Sequence, residues 1–184
     1  YELIGKSEFV LQLKNSLNKL SSTSSRILIY GPLGSGKETI ARIIHKKSKR
    51  SEKPFVIVSC SLLNPKDIEK IIFGSSLNNN IGLLEKANTG TILFDEIGDL
   101  PINIQSQILN FLLNNFYKKI DTNEKFTTDV KIISTTSKDL ELESNDGSFR
   151  KDLYHRLNVL KIDIPPLNKR PEDIRLLCDY FIKK

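Results

Sequence analysis

A seven-residue segment near the start of the chain has the spacing of a phosphate-binding loop. Residues 31–37 read GPLGSGK and lie between an apolar run and a stretch with helical spacing. Glycines let successive backbone N–H groups point at an anion, the following helix adds its positive end, and the lysine reaches the outer phosphates of a nucleotide. This is the Walker A spacing, or P-loop. The predicted nucleotide-binding residues are Gly31, Pro32, Leu33, Gly34, Ser35, Gly36 and Lys37.

The two positions after this loop bear on the metal. A P-loop commonly has Ser or Thr directly after the lysine, where the hydroxyl binds Mg²⁺. This chain has Glu38 there, and Thr39 supplies a hydroxyl one position later. Both are candidate cofactor-binding residues, and the residues alone leave the metal ligand at this position undecided.

A second segment, ILFDE at 92–96, is an apolar run that ends in two acids. This is typical of a Walker B motif, in which Asp95 would hold Mg²⁺ directly or through water and Glu96 would polarise the attacking water. The alternative is a strand with a solvated acidic end. The P-loop upstream favours the Walker B interpretation, because the two motifs share one nucleotide.

Two further groups of residues are candidates for the same site. Thr135, Thr136 and Ser137 end an apolar run, at the side of a parallel sheet where ligands bind, although hydroxyl residues commonly end strands. Arg150 or Arg156 could act as an arginine finger in a neighbouring subunit's site. Surface arginines in local salt bridges are an equal alternative.

The elements that must position these residues alternate in type. Short runs rich in β-branched residues predict five buried strands at 26–30, 55–59, 91–94, 130–135 and 159–164. Three-and-four spacing predicts helices at 38–47, 103–117, 150–157 and 172–183. This alternation predicts an α/β fold, with a five-stranded parallel sheet between helices and right-handed crossovers.

The ends and loops of the chain suggest a division into two parts. Polar, turn-rich stretches at 21–25 and 74–82 predict loops. After Pro165 and Pro166 the pattern changes to a single amphipathic helix, so we expect an α/β nucleotide-binding region at 1–166 and the truncated start of a helical lid at 167–184. The chain begins at Tyr1 and contains no Met, which predicts a piece of a longer protein.

The composition is that of a globular protein. Of the 184 residues, 39% are hydrophobic and 27% charged, and no apolar run approaches the ~18 residues of a membrane span. Cys60 and Cys178 lie far apart, which favours free thiols in a reducing cytoplasm over disulfides or a zinc site. The net charge is +6, and six cations lie within 42–53. These form either a solvated surface or a patch for nucleic acid or an acidic partner.

Several longer stretches together resemble a known family. They are GPLGSGKE with ARIIH, PFVIVSC, GTILFDEIGDLP, VKIISTT, FRKDLYHRLNVLKIDIPPL and KRPEDI. The chain resembles the central AAA+ domain of bacterial enhancer-binding proteins, which activate the alternative sigma factor sigma-54. The resemblance covers nearly the whole chain. Within the family it is most similar to NtrX-type response regulators.

The resemblance implies roles for matching residues on both sides of a nucleotide. The P-loop and Lys37 would bind the phosphates of ATP, and Asp95 and Glu96 would handle Mg²⁺ and water. Ile4 and Gly5 match a segment that lies near the adenine. Family members also carry Glu after the P-loop lysine, so the residue that follows Lys37 is typical there.

The resemblance also implies partners. Thr136 falls at the sensor I position, and Arg150 and Arg156 match arginine fingers that complete a neighbouring subunit's site. A ring, usually hexameric, follows from a site shared by two subunits. DNA would be bound through a C-terminal domain outside this chain. A sensor kinase would interact with a receiver domain that also lies outside it. RNA polymerase is a further candidate partner, and no membrane is expected.

Two departures from the family pattern bear on function. Family activators carry a GAFTGA loop, which engages the sigma factor, after a Phe-Gly pair. Here Phe73 and Gly74 are followed by SSLNNNIG, which lacks that sequence and is shorter. Ser59 stands where the family typically has Asn to hold the catalytic glutamate, and a serine lacks the amide carbonyl. We expect both departures to affect the coupling between ATP hydrolysis and movement of this loop.

The leading hypothesis is therefore an ATP-binding and ATP-hydrolysing central domain of an NtrX-like transcriptional regulator. Nucleotide would control its oligomerisation, and it would lack the usual sigma-54 contact. The alternative is a nucleotide-binding assembly module with little or no ATPase activity. A fully competent sigma-54 activator is the third possibility, disfavoured by the missing loop sequence.

Overall fold

A computed structural model describes residues 2–77 and 80–183. The strands are β1 Ile27–Tyr30, β2 Phe55–Ser59, β3 Thr91–Asp95, β4 Phe116–Tyr117, β5 Phe126–Thr127, β6 Lys131–Thr136 and β7 Leu160–Asp163. The helices are α1 Glu8–Ser22, α2 Lys37–Lys46, α3 Ile68–Phe73, α4 Leu83–Lys86, α5 Ile102–Asn114, α6 Leu140–Asp146, α7 Lys151–Leu157 and α8 Pro171–Ile182. Short 3-10 turns lie at Ile97–Asp99 and Leu167–Lys169.

Five strands form one parallel sheet in the order β2-β3-β6-β1-β7. This confirms the predicted five-stranded parallel sheet, and each strand lies within one residue of its predicted bounds. β6 lies between β1 and β3, with Ile133 opposite both Ile27 and Leu93. The carboxyl ends of these three strands therefore meet at one edge of the sheet. The P-loop, the acid pair and the hydroxyl residues all follow these ends, so the topology brings them together.

The sheet is covered on both faces, as its continuous apolar runs predict. Successive side chains point to opposite faces. Leu28 and Phe94 belong to the cluster that contains residues of α3, α5 and α7, whereas Ile29 and Leu93 belong to the cluster that contains residues of α1 and α2. All four side chains are at most 1% exposed. These two layers make the strand ends a rigid platform for loops.

Helix α5 ends earlier than the sequence pattern predicts. The predicted helix runs to residue 117, but α5 ends at Asn114 and Asn115 adopts a left-handed conformation with φ 57°. Asparagine tolerates that conformation better than most residues, which makes it a helix-ending signal. Phe116 and Tyr117 instead form β4, which pairs antiparallel with β5. The prediction of helix at these two positions was wrong.

Helix α1 was not predicted from the sequence. Ser7 is its N-cap and accepts a hydrogen bond from the backbone N–H of Val10. Leu13 and Leu17 bury its inner face against the core. Ser21 and Ser22, predicted as loop, form its last residues, and the Ser21 hydroxyl donates to the Leu17 carbonyl at 2.6 Å. The loop before β1 is therefore shorter than predicted.

Helix α8 occupies nearly the predicted position. It begins with Pro171, where the missing N–H costs nothing, and ends at Ile182. Its residue Asp173 is fully buried against the segment that precedes α1. Over the described residues, none of the helices is long and apolar enough to cross a membrane.

Candidate nucleotide-binding site

The P-loop turns sharply between β1 and α2. Gly34 and Gly36 have positive φ angles of 74° and 94°, which any residue with a Cβ adopts only with strain. The Gly31 N–H donates to the carbonyl of Thr136 at 3.1 Å, which ties the start of the loop to β6. Two of the three loop glycines are thus required by backbone conformation.

The P-loop lysine is buried and fully engaged. Lys37 is 6% exposed, and its ammonium donates to the carbonyls of Gly31 at 2.8 Å and Pro32 at 3.0 Å. The same Nζ lies 2.9 Å from Oε1 of Glu96. The P-loop lysine therefore contacts the second acid of the predicted Walker B motif directly.

Glu96 is held in an unusual backbone conformation with φ 54°. Its Oε2 accepts hydrogen bonds from the N–H of Ser137 at 2.7 Å and from the Ser137 hydroxyl at 2.9 Å. Burial alone would raise the pKa of this carboxyl, but the bonds from Lys37 and Ser137 and the lysine charge outweigh it and hold the pKa below its usual value. Glu96 is therefore ionised and oriented at neutral pH.

Asp95 is oriented by Thr135 rather than by Thr136. The Thr135 hydroxyl donates to Oδ1 of Asp95 at 2.6 Å and accepts from the Glu96 N–H at 3.0 Å. The Thr136 hydroxyl instead donates to the carbonyl of Lys138 at 3.1 Å. Because side chains alternate along β6, Thr135 faces the acids and Thr136 does not. The catalytic role of Thr136 stays a prediction.

The two residues after Lys37 have different surroundings. Glu38 is exposed, and its carboxylate accepts from Nε of Arg42 at 2.7 Å, one helical turn along α2. Thr39 lies on the wall of the neighbouring cavity. Of the pair, Thr39 is the one on the site side of the helix.

A cavity of about 740 Å³ extends from the P-loop to α8. This volume is within the usual range of small-molecule sites. The predicted site residues on its wall are Ile4, Pro32, Leu33, Gly34, Ser35, Gly36 and Thr39. The hydroxyl of Ser35 is buried and has no hydrogen-bond partner within the described parts of the chain. A phosphate oxygen would supply the missing partner, so the donor set fits a nucleotide.

Beside the cavity, hydrogen bonds join the N-terminal segment of the described chain to the start of α8. Asp173 is 0% exposed. Its carboxylate accepts from the N–H groups of Lys6 at 2.7 Å and Ser7 at 2.8 Å, and from the Ser7 hydroxyl at 2.7 Å. Burial raises the pKa of Asp173, but these hydrogen bonds and the charge of Arg170 lower it further, so the pKa lies below its usual value. Gly5 packs so closely that a Cβ would lie 2.5 Å from this carboxylate.

Arg170 joins this contact to the P-loop. It is 8% exposed, and Nη2 donates to the carbonyl of Ser35 at 3.2 Å. Its Nη1 lies 3.8 Å from Oδ2 of Asp173. The start of α8 therefore touches both the P-loop and the N-terminal segment.

The two candidate arginine fingers do not line this cavity. The guanidinium of Arg150 pairs with Asp152 through Nε at 3.0 Å and Nη2 at 2.7 Å, and Nη1 donates to Ser106 Oγ at 3.1 Å. Arg156 is exposed on α7. Neither arginine reaches the P-loop of its own chain.

Ser59 ends β2 directly opposite Asp95 in the sheet. Among the residues that the structure describes, its hydroxyl makes no hydrogen bond to Glu96; Lys37 and Ser137 hold that carboxylate instead. In this chain the glutamate is therefore held from the end of β6 and from the P-loop.

The acidic part of the site could supply some, but not all, of the ligands of Mg²⁺. Within residues 2–77 and 80–183, no cluster of three or more His, Cys, Asp or Glu side chains has the arrangement of a metal site. Mg²⁺ at nucleotide sites is held by one or two carboxylates together with phosphates and waters. Asp95, beside Glu96 at the end of β3, could supply such a carboxylate.

The comparisons with known proteins agree with this geometry. The sequence profile of the sigma-54 interaction domain matches residues 3–163. The chain belongs to this family. It is 42% identical over 186 residues to the nitrogen assimilation regulatory protein NtrX of Azorhizobium caulinodans, covering 99% of this chain and 41% of the relative. It is 44% identical over 188 residues to a putative NtrX-like response regulator of Rickettsia typhi, covering 100% and 39%.

A solved structure is also very similar. NtrX from Brucella abortus in complex with ATP superposes with a TM-score of 0.95 at 38% identity, covering 100% of this chain and 43% of that chain. The chain spans about two fifths of the length of the curated relatives it matches. The P-loop NTPase fold of AAA+ type predicted from sequence is confirmed by this likeness.

Sequence reasoning missed four residues of this sigma-54 interaction domain site. Thr135 and Ser137 were seen only as part of a hydroxyl-rich strand end, and strand alternation was the signal that separates them from Thr136. Arg170 and Asp173 lie in the KRPEDI stretch, which was noted only as a family motif. This buried charged pair at the start of α8 has no local signature, because its partners are more than 130 residues away.

Proposed function

We propose that this chain binds ATP with Mg²⁺ and hydrolyses it, as the central domain of an NtrX-like two-component transcriptional regulator. The observation that carries the proposal is the 2.9 Å contact between Lys37 and Glu96, next to P-loop residues that line a nucleotide-sized cavity. That contact unites a phosphate-binding lysine with an ionised carboxylate in one buried place. The likeness to an NtrX solved with ATP supports the same ligand.

The residues divide the work between binding and proton transfer. On nucleotide binding, Lys37 exchanges the carbonyls of Gly31 and Pro32 for phosphate oxygens, together with the N–H groups of the loop. Lys37 thereby also gives up its contact with Oε1 of Glu96. That oxygen is then free to accept a proton from the attacking water, while Ser137 keeps the carboxylate oriented. Asp95 would hold Mg²⁺, which neutralises charge on the phosphates.

The remaining part of the site comes from a second copy of the chain. Arg150 and Arg156 lie outside the cavity of their own chain, and an arginine near the outer phosphate is worth several orders of magnitude in rate. We therefore propose that the full-length protein forms a ring oligomer, a hexamer, in which one or both arginines complete the adjacent site. Residues 167–184 would begin the lid subdomain, and residues 1–166 would form the nucleotide-binding subdomain.

The test is ATP turnover measured against protein concentration, with ATP binding measured separately. Turnover per subunit that rises with concentration and saturates together with oligomer formation supports the proposal. Turnover that is constant per subunit down to the monomer contradicts the shared site.

The second candidate is a nucleotide-binding assembly module with little catalysis. Ser59 favours it, because this hydroxyl makes no hydrogen bond to Glu96 among the described residues. The same experiment separates the two: ATP binding that drives assembly without phosphate release supports the module. Restoring the family residue by Ser59→Asn and finding increased turnover would show that the serine limits catalysis.

We further propose that the protein does not remodel sigma-54 polymerase in the usual way. The loop at 74–82 lacks the GAFTGA sequence, and Asn78 and Asn79 lie outside the described residues. Asp121 holds the described part of the loop, accepting from the Ser75 hydroxyl at 2.6 Å and the Leu77 N–H at 2.7 Å. An open-complex assay with sigma-54 polymerase tests this, and strong ATP-dependent activation would contradict it.

The setting of the whole protein is proposed by analogy with its relatives. A receiver domain met by a sensor kinase and a DNA-binding domain would lie outside this chain, RNA polymerase would be the downstream partner, and the protein would act in the cytoplasm. A phosphotransfer assay and a promoter-binding assay on the native-length protein test these two partners.

A further inference from the structure

Gln105 is a polar residue on the otherwise apolar buried face of α5. It is 0% exposed, as are its neighbours Ile104 and Ile108. A buried amide costs free energy unless its donors and acceptor are satisfied. Leucine would be the expected residue at this core position of α5. The glutamine therefore needs a reason beyond packing.

The side-chain amide of Gln105 makes three hydrogen bonds to the backbone, one to a residue five positions away and two to residues more than 40 positions away. Nε2 donates to the carbonyls of Leu100 at 2.8 Å and Ser148 at 3.1 Å. Oε1 accepts from the N–H of Arg150 at 2.8 Å. Both amide hydrogens are used, so one side chain bridges two separate backbone segments.

One of these segments comes directly from the acid pair. Glu96 is the N-cap of the 3-10 turn Ile97–Asp99, and its carbonyl accepts from the N–H of Asp99 at 2.9 Å. Leu100 ends that turn, with its N–H bonded to the carbonyl of Ile97 at 3.2 Å. A single hydrogen-bonded turn therefore separates Glu96 from the carbonyl that Gln105 binds.

The other segment carries a candidate arginine finger. Arg150 is the N-cap of α7, and its carbonyl accepts from Tyr154 at 3.0 Å. Phe149, beside it, is 1% exposed and anchors this start in the core. Ser106, next to Gln105 in α5, accepts from the guanidinium of Arg150. Adjacent residues of α5 thus hold both the backbone and the side chain of this arginine.

We propose that Gln105 is a positioning residue that couples the acid pair of one subunit to the arginine it offers to the next. Movement of the turn after Glu96 would be passed through the Gln105 amide to the backbone of Arg150. This inference rests on the proposed function, because it requires Arg150 to act in a neighbouring subunit's site. It adds a route by which adjacent sites in a ring are linked.

The first experiment replaces the amide with an apolar side chain of similar length, Gln105→Met, in the native-length protein. We expect turnover to fall roughly 10- to 100-fold, as for a misplaced catalytic group, while the Kd for ATP stays unchanged. Gln107→Leu is the matched control, because Gln107 lies two residues away in α5 and its side chain donates to Glu69 on α3. Its turnover should equal that of the wild type.

Mixing subunits provides the decisive measurement. Glu96→Gln subunits have an inactive site but an intact Arg150, and Gln105→Met subunits have an intact site but a misplaced Arg150. A one-to-one mixture should recover roughly a quarter of wild-type turnover, because half the subunits keep a working site and half of those have an intact neighbour. A merely destabilised Gln105→Met subunit would not be rescued by its neighbour.

Two further results decide between this inference and the proposed function. Arg150→Ala mixed with Glu96→Gln must recover activity; if it does not, the shared site and this inference fall together. If it does recover but Gln105→Met does not, only the inference is overturned. Gln105→Glu keeps the acceptor for Arg150 and loses one or both donated bonds, so it should also be impaired. Wild-type turnover in Gln105→Glu would overturn the coupling to the acid pair.

Discussion

The two ends of the nucleotide cavity are built in different ways. At the phosphate end, the P-loop, Glu96 and Ser137 follow strands that are neighbours or near neighbours in one sheet. At the α8 end, Asp173 holds Lys6 and Ser7, which lie 167 and 166 residues away along the chain. The first end needs particular residue types in short motifs. The second needs the two ends of the described chain to meet.

The phosphate end therefore depends on charge and backbone conformation, whereas the α8 end depends on long-range contacts that hold the cavity wall in place. In the proposed function, the phosphate end binds an anion through Lys37 and the loop N–H groups and performs the chemistry. The α8 end places no acid or base on the phosphates and instead fixes the wall formed by Ile4 and its neighbours. We therefore expect changes at the phosphate end to remove turnover or affinity, and changes at the α8 end to weaken affinity and stability by smaller factors.

The largest expected effect is that of Glu96→Gln. Turnover should fall by roughly a thousandfold, since a general base typically contributes 10²–10⁴, and ATP should still bind because the P-loop is untouched. Steady-state phosphate release and a nucleotide titration measure the two. Glu52→Gln, at an exposed site, is the control and should behave as wild type. Near-normal turnover in Glu96→Gln would place the base elsewhere.

Next in size is Lys37→Ala. Removing the buried ammonium should weaken ATP binding by about 3 kcal/mol, or roughly a hundredfold in Kd. Isothermal titration with ATP measures this, and Lys47→Ala, which removes an exposed lysine from the other end of α2, serves as the control. Unchanged affinity in Lys37→Ala would mean that the phosphates are not held by the P-loop.

At the α8 end, Asp173→Asn should lower the free energy of unfolding by about 2 kcal/mol at pH 7, because it removes a buried charged acceptor of three hydrogen bonds. The folded-state pKa of Asp173 lies below its ordinary value. Its stabilisation is therefore complete above about pH 4, the ordinary aspartate pKa, and is lost as pH falls through the folded pKa.

Urea unfolding at pH 7 and at successively lower pH measures this difference between wild type and Asp173→Asn. The two proteins should converge in stability as the pH falls. A difference that stays constant with pH would show that the ionised form of Asp173 is not what stabilises the fold. Asp179→Asn, at an exposed position later in α8, is the matched carboxylate control for pH 7 stability.

The smallest effect is expected for Gly5→Ala. The added Cβ would lie 2.5 Å from Oδ1 of Asp173 and 2.9 Å from Val10, so the N-terminal segment must shift. ATP affinity should fall by roughly tenfold, whereas binding of inorganic tripolyphosphate, which needs only the phosphate end, should be unchanged. Gly147→Ala also strains a positive-φ glycine, in an open place, and should leave both affinities unaltered.

An equal loss of ATP and tripolyphosphate affinity in Gly5→Ala would contradict the distinction between the two ends. It would show that the contacts of α8 also determine the conformation of the P-loop, to which Arg170 donates a hydrogen bond at the Ser35 carbonyl. Arg170→Met would then be the variant that reproduces this loss directly.

Much of the fold was predictable because its signals are local. Buried parallel strands are short and continuously apolar, and all five were placed within one residue of their bounds. The end of α5 was misplaced, since the left-handed turn at Asn115 competes with an apolar pattern that continues through Phe116. Helix α1 was missed altogether, although Ser7 and the buried Leu13 and Leu17 carry a capping and spacing signal.

The sequence by itself determined the motifs on which the proposed phosphate chemistry rests. Glycines at 34 and 36, Lys37 and the acids at 95 and 96 are required by backbone conformation and charge, and such requirements appear as residue types at set spacing. Only the tertiary structure decided which hydroxyls hold the acids, that Gln105 bridges Glu96's turn to Arg150, and that Asp173 joins the start of α8 to the N-terminal segment. Those contacts join residues distant in sequence, and strand register and helix packing, rather than local spacing, bring them within hydrogen-bond distance.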